Sequence, residues 1–555
     1  MLLSVNITEK SFGDKSLYHD LHFDVQPGEI VGLVGRNGTG KSTLFNMILG
    51  SDMDYQGEVN LKRNTILISS RQEHHGLDGQ TVLGYIQSDL PEFAELDHIL
   101  QTYPEHMGDN VGKISRYSEA LERFSMLGYY QVEDEIAQLF EAYQIDPAKL
   151  HAKMGDLSGG QKRMVELIKV QRSRGDLALI DEPTNHMDYV AKAAFIKWLK
   201  AAPESVVVIT HDRDVLQTVN RIIEIRNGQA YPFRGNYDHY LKTNKNMITS
   251  EVNEYDLTQR RIVNLREDII RFQRLKEKAR DPGTIRRFKS SEEKGRAELA
   301  RLELVEQPSF WIDQDSAEEL NEKMSNAYAK YKAKNIQLDA KHEVGKSKRL
   351  LVQVSKLSLG YGETPLFDGV SFELRESDRV RLHGRNGAGK TTLVDAIMQK
   401  AYELPESELP SRRFAGTIAV ERGINVGHYQ QEIDEKYLDM TLHDALEQVQ
   451  RDKGLPVNEQ KIQQWLGNYL FNPAGDGAMR VSQLSGGQKA RFQLINMLAN
   501  DPMLLILDEP TNHLDLPSIE ELERAMTTYH GAVIYISHDS YFADKLAGQI
   551  IAIDA

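Results

Sequence analysis

Eight short stretches of this chain carry groups suited to binding and cleaving a phosphoanhydride, and they form two sets of four. Residues 35–42 read GRNGTGKS and residues 384–391 read GRNGAGKT. In a GxxxxGK[ST] loop the glycines let backbone N–H groups wrap an anion at a helix N-terminus, where the helix dipole also favours negative charge. The phosphate-binding candidates are therefore Gly35, Asn37, Gly38, Gly40, Lys41, Ser42 and Thr43, then Gly384, Asn386, Gly387, Gly389, Lys390, Thr391 and Thr392. Lys41 and Lys390 would reach the β- and γ-phosphates of a nucleotide, and Ser42 and Thr391 would hold Mg²⁺. LALID (177–181) and LLILD (504–508) read as buried strands that end in a carboxylate. Asp181 and Asp508 then serve the metal, and Glu182 and Glu509 polarise the attacking water. His211 and His538 each follow an apolar run and would contact the γ-phosphate. Gln72 and Gln431 are placed on Mg²⁺ and water, and Phe12 and Tyr361 on the adenine ring.

Matched spacing shows that one unit occurs twice. Phe12 precedes Lys41 by 29 residues, and Tyr361 precedes Lys390 by 29. From Leu157 of the first LSGGQ to Asp181 is 24 residues, as from Leu484 of the second to Asp508. Each of those aspartates precedes its histidine by 30. Each phosphate loop follows an apolar run (EIVGLV or RVRLH) and precedes TLF or TLV, the strand–loop–helix setting it requires. One interval differs: Gln72 to Leu157 is 85 residues, whereas Gln431 to Leu484 is 53. The extra residues fall within about 90–135 and read as helices separated by a turn containing Pro and Gly, an arm fitted to touch a partner.

The two copies span residues 1–240 and 350–555. Between them, residues 241–307 read as an antiparallel helical hairpin. Ile262, Leu265, Ile269 and Phe272 follow 3-4-3 spacing, broken at Lys276. Asp281-Pro282-Gly283 is a stop and turn, placing the tip at 281–283. A first helix over 253–280 would be roughly 42 Å long. Residues 308–349 form a connector expected to pack on the second copy.

Composition narrows the class. Lys+Arg number 67 against Asp+Glu at 82, a net charge of −15 that disfavours non-specific binding to nucleic acid or anionic membrane. Between Arg260 and Arg296, however, 13 Lys/Arg meet only 6 Asp/Glu. Around the turn stand Arg271, Arg274, Lys276, Lys278, Arg280, Arg286, Arg287 and Lys289, with Phe272 and Phe288 among them. Such a block suits phosphate contacts. With no cysteine, disulfides, cysteine-ligated zinc, iron–sulfur clusters and thiol catalysis are excluded. No apolar run reaches the roughly 20 residues of a membrane span, and the N-terminus has neither a basic n-region nor a signal-length apolar core. The expectation is a cytoplasmic α/β protein without membrane insertion.

LSGGQ between a phosphate loop and DEPTNHMD or DEPTNHLD resembles the ATP-binding cassette superfamily over roughly 400 residues. The resemblance implies two P-loop NTPase cassettes, joined here by the hairpin linker, closing head-to-tail on two ATP molecules with Mg²⁺ within one monomer. Ser158, Gly159, Gly160 and Gln161 would cap the nucleotide on Lys390; Ser485, Gly486, Gly487 and Gln488 would cap the one on Lys41. LSGGQ opens a helix, so its N–H groups offer the γ-phosphate a second anion site. Both composite sites are intact, which implies hydrolysis at both. The absence of spanning helices excludes a transporter with fused membrane domains. Repair ATPases of this type and the iron–sulfur recycling type need cysteine ligands. Chromosome-maintenance ATPases need hundreds of residues where Lys41 to Asp181 spans 140. Tandem cassettes, DEPTNHxD in both, GNYDHY at 235–240 and the charged linker are similar to the ABC-F family. Members bind the ribosome, so the resemblance implies that the linker meets ribosomal RNA and tRNA and the arm meets the exit-site region. LDLPSIEELE at 514–523 leans towards ribosomal protection against antibiotics over a general translation factor. Two other readings stay open: a tandem ATPase subunit for a separate permease, disfavoured by the basic hairpin, and a non-ribosomal nucleic-acid ATPase.

Overall fold

The computed structural model of the protein describes residues 1–555 except 14, 72–76, 107, 109, 186, 306, 321, 339–348, 406–410, 431, 473, 474, 554 and 555. The described chain forms two units, one of Met1–Tyr237 with Asn335–Ala555 and one of Asp238–Lys334. The first unit holds both cassettes.

Each cassette is built on a parallel sheet whose central strands are apolar on both faces, as strands covered by helices on each side must be. In the first cassette the order is Leu67–Ser69, Leu177–Asp181, Ser205–Ile209, Ile30–Gly35, Arg221–Arg226, Gln229–Arg234, with only the last pair antiparallel. In the second it is Val426–Tyr429, Leu504–Asp508, Ala532–Ile536, Arg379–His383, Gln549–Ala552, all parallel. The runs read as buried strands, LALID and LLILD, are buried at every position. A separate three-stranded antiparallel sheet flanks each core: Lys15–Val25, Leu3–Phe12, Gln56–Leu61 in one copy and Thr364–Arg375, Leu350–Tyr361, Arg412–Val420 in the other. The phosphate loops and both strand-end carboxylates therefore lie at the carboxyl ends of adjacent parallel strands, where α/β folds bind ligands.

The extra residues of the first cassette are two helices, Phe93–His106 and Val111–Met126. Their stem is fastened by Phe93, Phe124 and Tyr129, with ring centroids 5.2–5.7 Å apart, and by Arg123 on Glu92 at 2.6 and 2.8 Å. Pro104 lies inside the first of these helices, so the turn falls after His106.

Within the second unit, the helix Tyr237–Lys278 has 42 residues, about 63 Å at 1.5 Å per residue, and Pro282–Leu302 runs back for 21. The break between the two helices covers residues 279–281, overlapping the start of the expected 281–283 tip. Asp281 is the N-cap of the second helix, its carboxylate accepting the Thr284 N–H at 2.8 Å, and Pro282 and Gly283 already belong to that helix. Proline at the first helical position has no N–H to leave unbonded, so Asp-Pro starts a helix here where it could equally have ended one. Ile262, Leu265 and Ile269 are buried along the seam, and Phe272 stacks on Phe288 at 6.4 Å. The heptad break at Lys276 is an ion pair: its ammonium meets Glu292 at 2.6 Å, with Gln273 and Arg296 on the same carboxylate. These hydrogen bonds hold the Glu292 carboxyl down at about 2. The described part of the connector divides: Phe310, Ile312, Met324 and Tyr331 pack on Ile248 and Val252 of the long helix, while Ile336 and Leu338 join the core of the second cassette.

Gly295 sits against Ile269, where an added Cβ would come within 3.2 Å of Cγ1. Gly295→Leu should therefore loosen the hairpin by about 1–3 kcal/mol. Limited trypsin digestion should then cut within residues 260–301 faster than in the wild type, with ATP binding unchanged.

Candidate active site

Helix geometry brings the predicted groups together. Gly40 and Gly389 cap the helices Lys41–Ile48 and Lys390–Ala401 with φ of 93° and 96°, a left-handed turn suited to glycine. Lys41 Nζ curls back to donate to the carbonyls of Gly35 and Arg36 at 2.7 and 3.1 Å. Lys390 does the same with Gly384 and Arg385 at 2.8 Å each. Ser42 Oγ donates to Asp181 Oδ2 at 2.8 Å, and Thr391 Oγ1 to Asp508 Oδ2 at 2.9 Å. Each hydroxyl–carboxylate pair is a set of hard oxygen donors at the end of a phosphate loop, the chemistry Mg²⁺ prefers. Gln72 and Gln431, expected on the same ion, lie outside the described residues.

Beyond each strand end the backbone turns sharply. Glu182 N–H extends the ladder to the Ile209 carbonyl at 2.8 Å and Glu509 N–H to Ile536 at 3.0 Å, but both residues take positive φ, 46° and 48°. That conformation costs about 1–2 kcal/mol, and it sends each carboxyl towards its histidine: 3.6 Å from His211 Nε2 and 3.4 Å from His538 Nε2. Burial, reinforced by the neighbouring aspartate, pushes Glu182 up to about 8 and Glu509 up to about 7. Burial, then the nearby Lys41 or Lys390, pushes both imidazoles down to about 3. Neither Glu–His contact is thus an ion pair at neutral pH; the histidines are neutral. Both nitrogens of His211, Nδ1 of His538 and Oε1 of Glu509 are buried without a hydrogen bond among the described residues. Such orphaned polar atoms fit groups made to meet phosphate and water.

LSGGQ is a helix start in both copies. Ser158 and Ser485 cap the helices Gly159–Ser173 and Gly486–Leu498, and Gln161 and Gln488 close the capping boxes. Those glutamines thus fix the helix entry, leaving the early N–H groups pointing outward. Ser158, Gly159 and Gly160 line a cavity of about 450 Å³ together with Lys390, Thr391, Asp508, Glu509 and His538 of the other cassette. In the reciprocal pairing, Gly487 lies so close to Asn37 that an added Cβ would fall 2.2 Å from Asn37 Nδ2. Phe12 and Tyr361 stand exposed at equivalent hairpin ends, Tyr361 Oη lying 3.3 Å from Thr392 Oγ1.

Sequence reasoning overlooked the residues that join the halves. Asp188 caps the helix Tyr189–Ala201 through Oδ1 and accepts the Asn386 N–H through Oδ2 at 3.1 Å. Asp515 caps Leu516–Thr528 through Oδ1 and accepts the Asn37 N–H through Oδ2 at 3.0 Å. The Asn37 side chain, expected on phosphate, donates to the His513 carbonyl at 2.8 Å. The invariant last residue of both DEPTNHxD copies was the available signal. Arg163 was also missed; it donates to the Glu182 carbonyl at 2.9 Å and to Arg71 at 3.3 Å, and its counterpart is Ala490.

The profile of the ABC transporter family matches residues 18–185 and 367–512, one match over each cassette. The chain belongs to that family. A second profile, also described as ABC transporter, matches residues 223–317; with tandem cassettes around a helical hairpin, this is an ABC-F-type protein and an ATP hydrolase. The ATP-binding protein YdiF of Bacillus subtilis is 29% identical, over 100% of this chain and 80% of its own length. The energy-dependent translational throttle protein EttA of Mycobacterium tuberculosis is 28% identical, over 98% and 89%. Among solved structures, an archaeal ribosome recycling factor in complex with a ribosomal stalk protein shares the fold at TM-score 0.54 and 16% identity, over 99% of this chain and 87% of that one. No helix among the described residues is long and apolar enough to cross a membrane.

Serine at 188 and 515 would keep a helix cap while withdrawing the charged oxygen from the opposite loop. Asp188→Ser/Asp515→Ser should leave Tm within about 4 °C. Equilibrium ATP binding in a Glu182→Gln/Glu509→Gln background should weaken at least about ten-fold, since a hydrogen bond to a charged group contributes about 1.5–3 kcal/mol.

Proposed function

We propose that this ATPase binds the ribosome when its cassettes are closed on ATP, acts on translation through the hairpin, and leaves on hydrolysis. The observation that carries the reading is the distribution of charge along the hairpin. Some hairpin cations are paired: Arg261 with Glu298 at 2.9 Å, Arg266 with Glu303 at 2.6 Å and Lys276 with Glu292 at 2.6 Å. Towards the turn, Arg271, Arg274, Lys278, Arg280, Arg286 and Arg287 are exposed and make no ion pair among the described residues. A chain of net charge −15 that leaves six cations unpaired around the turn of one hairpin presents a local phosphate-binding surface. Support comes also from the relative named as a translational throttle. The first-cassette arm, with Val111 and Met126 exposed, supplies a second contact surface in this proposal.

Chemically, each site would use Lys41 or Lys390 and the loop N–H groups to hold the phosphates, and the opposing LSGGQ helix start to cap them. Ser42 with Asp181 and Thr391 with Asp508 would hold Mg²⁺, which when bound neutralises phosphate charge. Glu182 and Glu509 would then orient the water and His211 and His538 the γ-phosphate. Phe12 and Tyr361 would stack on adenine. Displacement of a ribosome-bound antibiotic by the hairpin turn is the finer form of the proposal.

Glu182→Gln/Glu509→Gln should lower turnover by about 10²-fold or more and co-sediment with ribosomes in ATP but not in ADP. If this variant binds ATP yet stays out of the ribosome pellet, the proposal fails. Adding Arg274→Glu, Arg286→Glu and Arg287→Glu should abolish co-sedimentation without changing ATP affinity. In cells challenged with a ribosome-targeting drug, the same three changes in the active protein should remove any protection it confers.

A further inference from the structure

The two sites carry the same motifs, yet their histidines stand in different surroundings. In the second cassette the main chain at Ser537–His538 is held by two cations. Arg381 Nη2 donates to the Ser537 carbonyl at 3.0 Å, and Lys192 Nζ, from the first cassette, donates to the His538 carbonyl at 3.2 Å. Lys192 is buried and is itself fixed by Asp212 at 2.8 Å and Asp214 at 2.6 Å. Asp214 also accepts from Ser540 Oγ at 2.7 Å, two residues beyond His538. Around His211 the equivalent positions are different. Aligned on DEPTNH, Lys192 corresponds to Ile519; aligned on the phosphate loops, Arg381 corresponds to Gly32. Neither can donate a side-chain hydrogen bond, and a Cβ on Gly32 would already lie 2.8 Å from Leu216.

We propose that Lys192 is a positioning residue acting across the cassette interface, which fixes His538 and has no counterpart at His211, so that the Lys390–Glu509 site is the faster of the two. A charge-assisted hydrogen bond to each of two successive carbonyls restricts the loop that aims the imidazole, and a reacting group already in place spares that ordering in the transition state. The inference rests on the assignment of His538 to the γ-phosphate and is independent of ribosome binding.

A double-mutant cycle on the full chain, read by single-turnover and steady-state ATP hydrolysis without ribosomes, tests it. Lys192→Met should lower kcat at least five-fold with KM for ATP within two-fold, and Lys192→Arg should recover most of the loss. Combined with His538→Ala, Lys192→Met should cost nothing further, because no imidazole remains to be aimed. Combined with His211→Ala, it should keep its full effect. Additive losses with His538→Ala, or equal coupling to both histidines, overturn the proposal. An unchanged kcat in His538→Ala alone overturns it by way of the histidine assignment. Removing Lys192 leaves Asp212 and Asp214 buried without their cation, so Arg381→Gln provides a second variant that spares those pairs. It should lower kcat and couple to His538→Ala only; additivity there also overturns the proposal.

Discussion

A carboxylate has two oxygens, and the joining of the two cassettes depends on using both. Asp188 and Asp515 each spend one oxygen on the first turn of their own helix and offer the other to a main-chain N–H in the opposite phosphate loop. Nucleotide phosphates carry more charge than one helix start can neutralise. The fold answers with two helix starts per site, one behind Lys41 or Lys390 and one at LSGGQ, drawn from different cassettes. Those starts can face each other only while the loops stay in register across the interface, and the two aspartates link each helix start directly to the opposite phosphate loop. Around them lie the Arg213–Asp539 ion pair at 3.2 Å and the Gln217–Tyr541 hydrogen bond at 2.9 Å, which join the segments after the two histidines.

Burial then sets the chemistry within each site. A buried carboxyl beside a second carboxylate resists ionisation, and a buried imidazole beside a lysine resists protonation. Glu182, Glu509, His211 and His538 are therefore poised as weakly charged hydrogen-bonding groups rather than as ion pairs. The positive φ at both glutamates shows the same priority: the backbone accepts a left-handed turn so that the carboxyl leaves the sheet and enters the cleft.

The hairpin obeys a different rule. Its seam is closed by Ile262, Leu265 and Ile269 and by stacked phenylalanines, and its flanks by ion pairs to Glu292, Glu298 and Glu303. Around the turn the cations outnumber the acidic residues, and Arg271, Arg274, Lys278, Arg280, Arg286 and Arg287 are exposed.

Much was legible in the chain itself. The duplication, the strand-to-loop setting of each phosphate loop, the pairing of Ser42 with Asp181 and Thr391 with Asp508, and the seam of the hairpin follow from local patterns. Spacing and apolar runs report which residues share a strand end or a helix face. Asp281-Pro282 marked the turn, but only backbone geometry says that the dipeptide begins the second helix rather than closing the first. The division of the connector was not legible because its aromatic residues could cover any apolar surface, and chain order does not say that Ile248 and Val252 would be that surface. Cross-cassette contacts had no local signature at all: Asn37 and His513, or Lys192 and His538, lie hundreds of residues apart, and their meeting depends on how two folded sheets dock. The sequence by itself determined what each cassette is and which groups it offers, because those depend on short-range periodicity and loop stereochemistry. Only the tertiary structure decided which groups face one another and that the two sites differ, because burial and hydrogen-bond partners arise once distant segments pack.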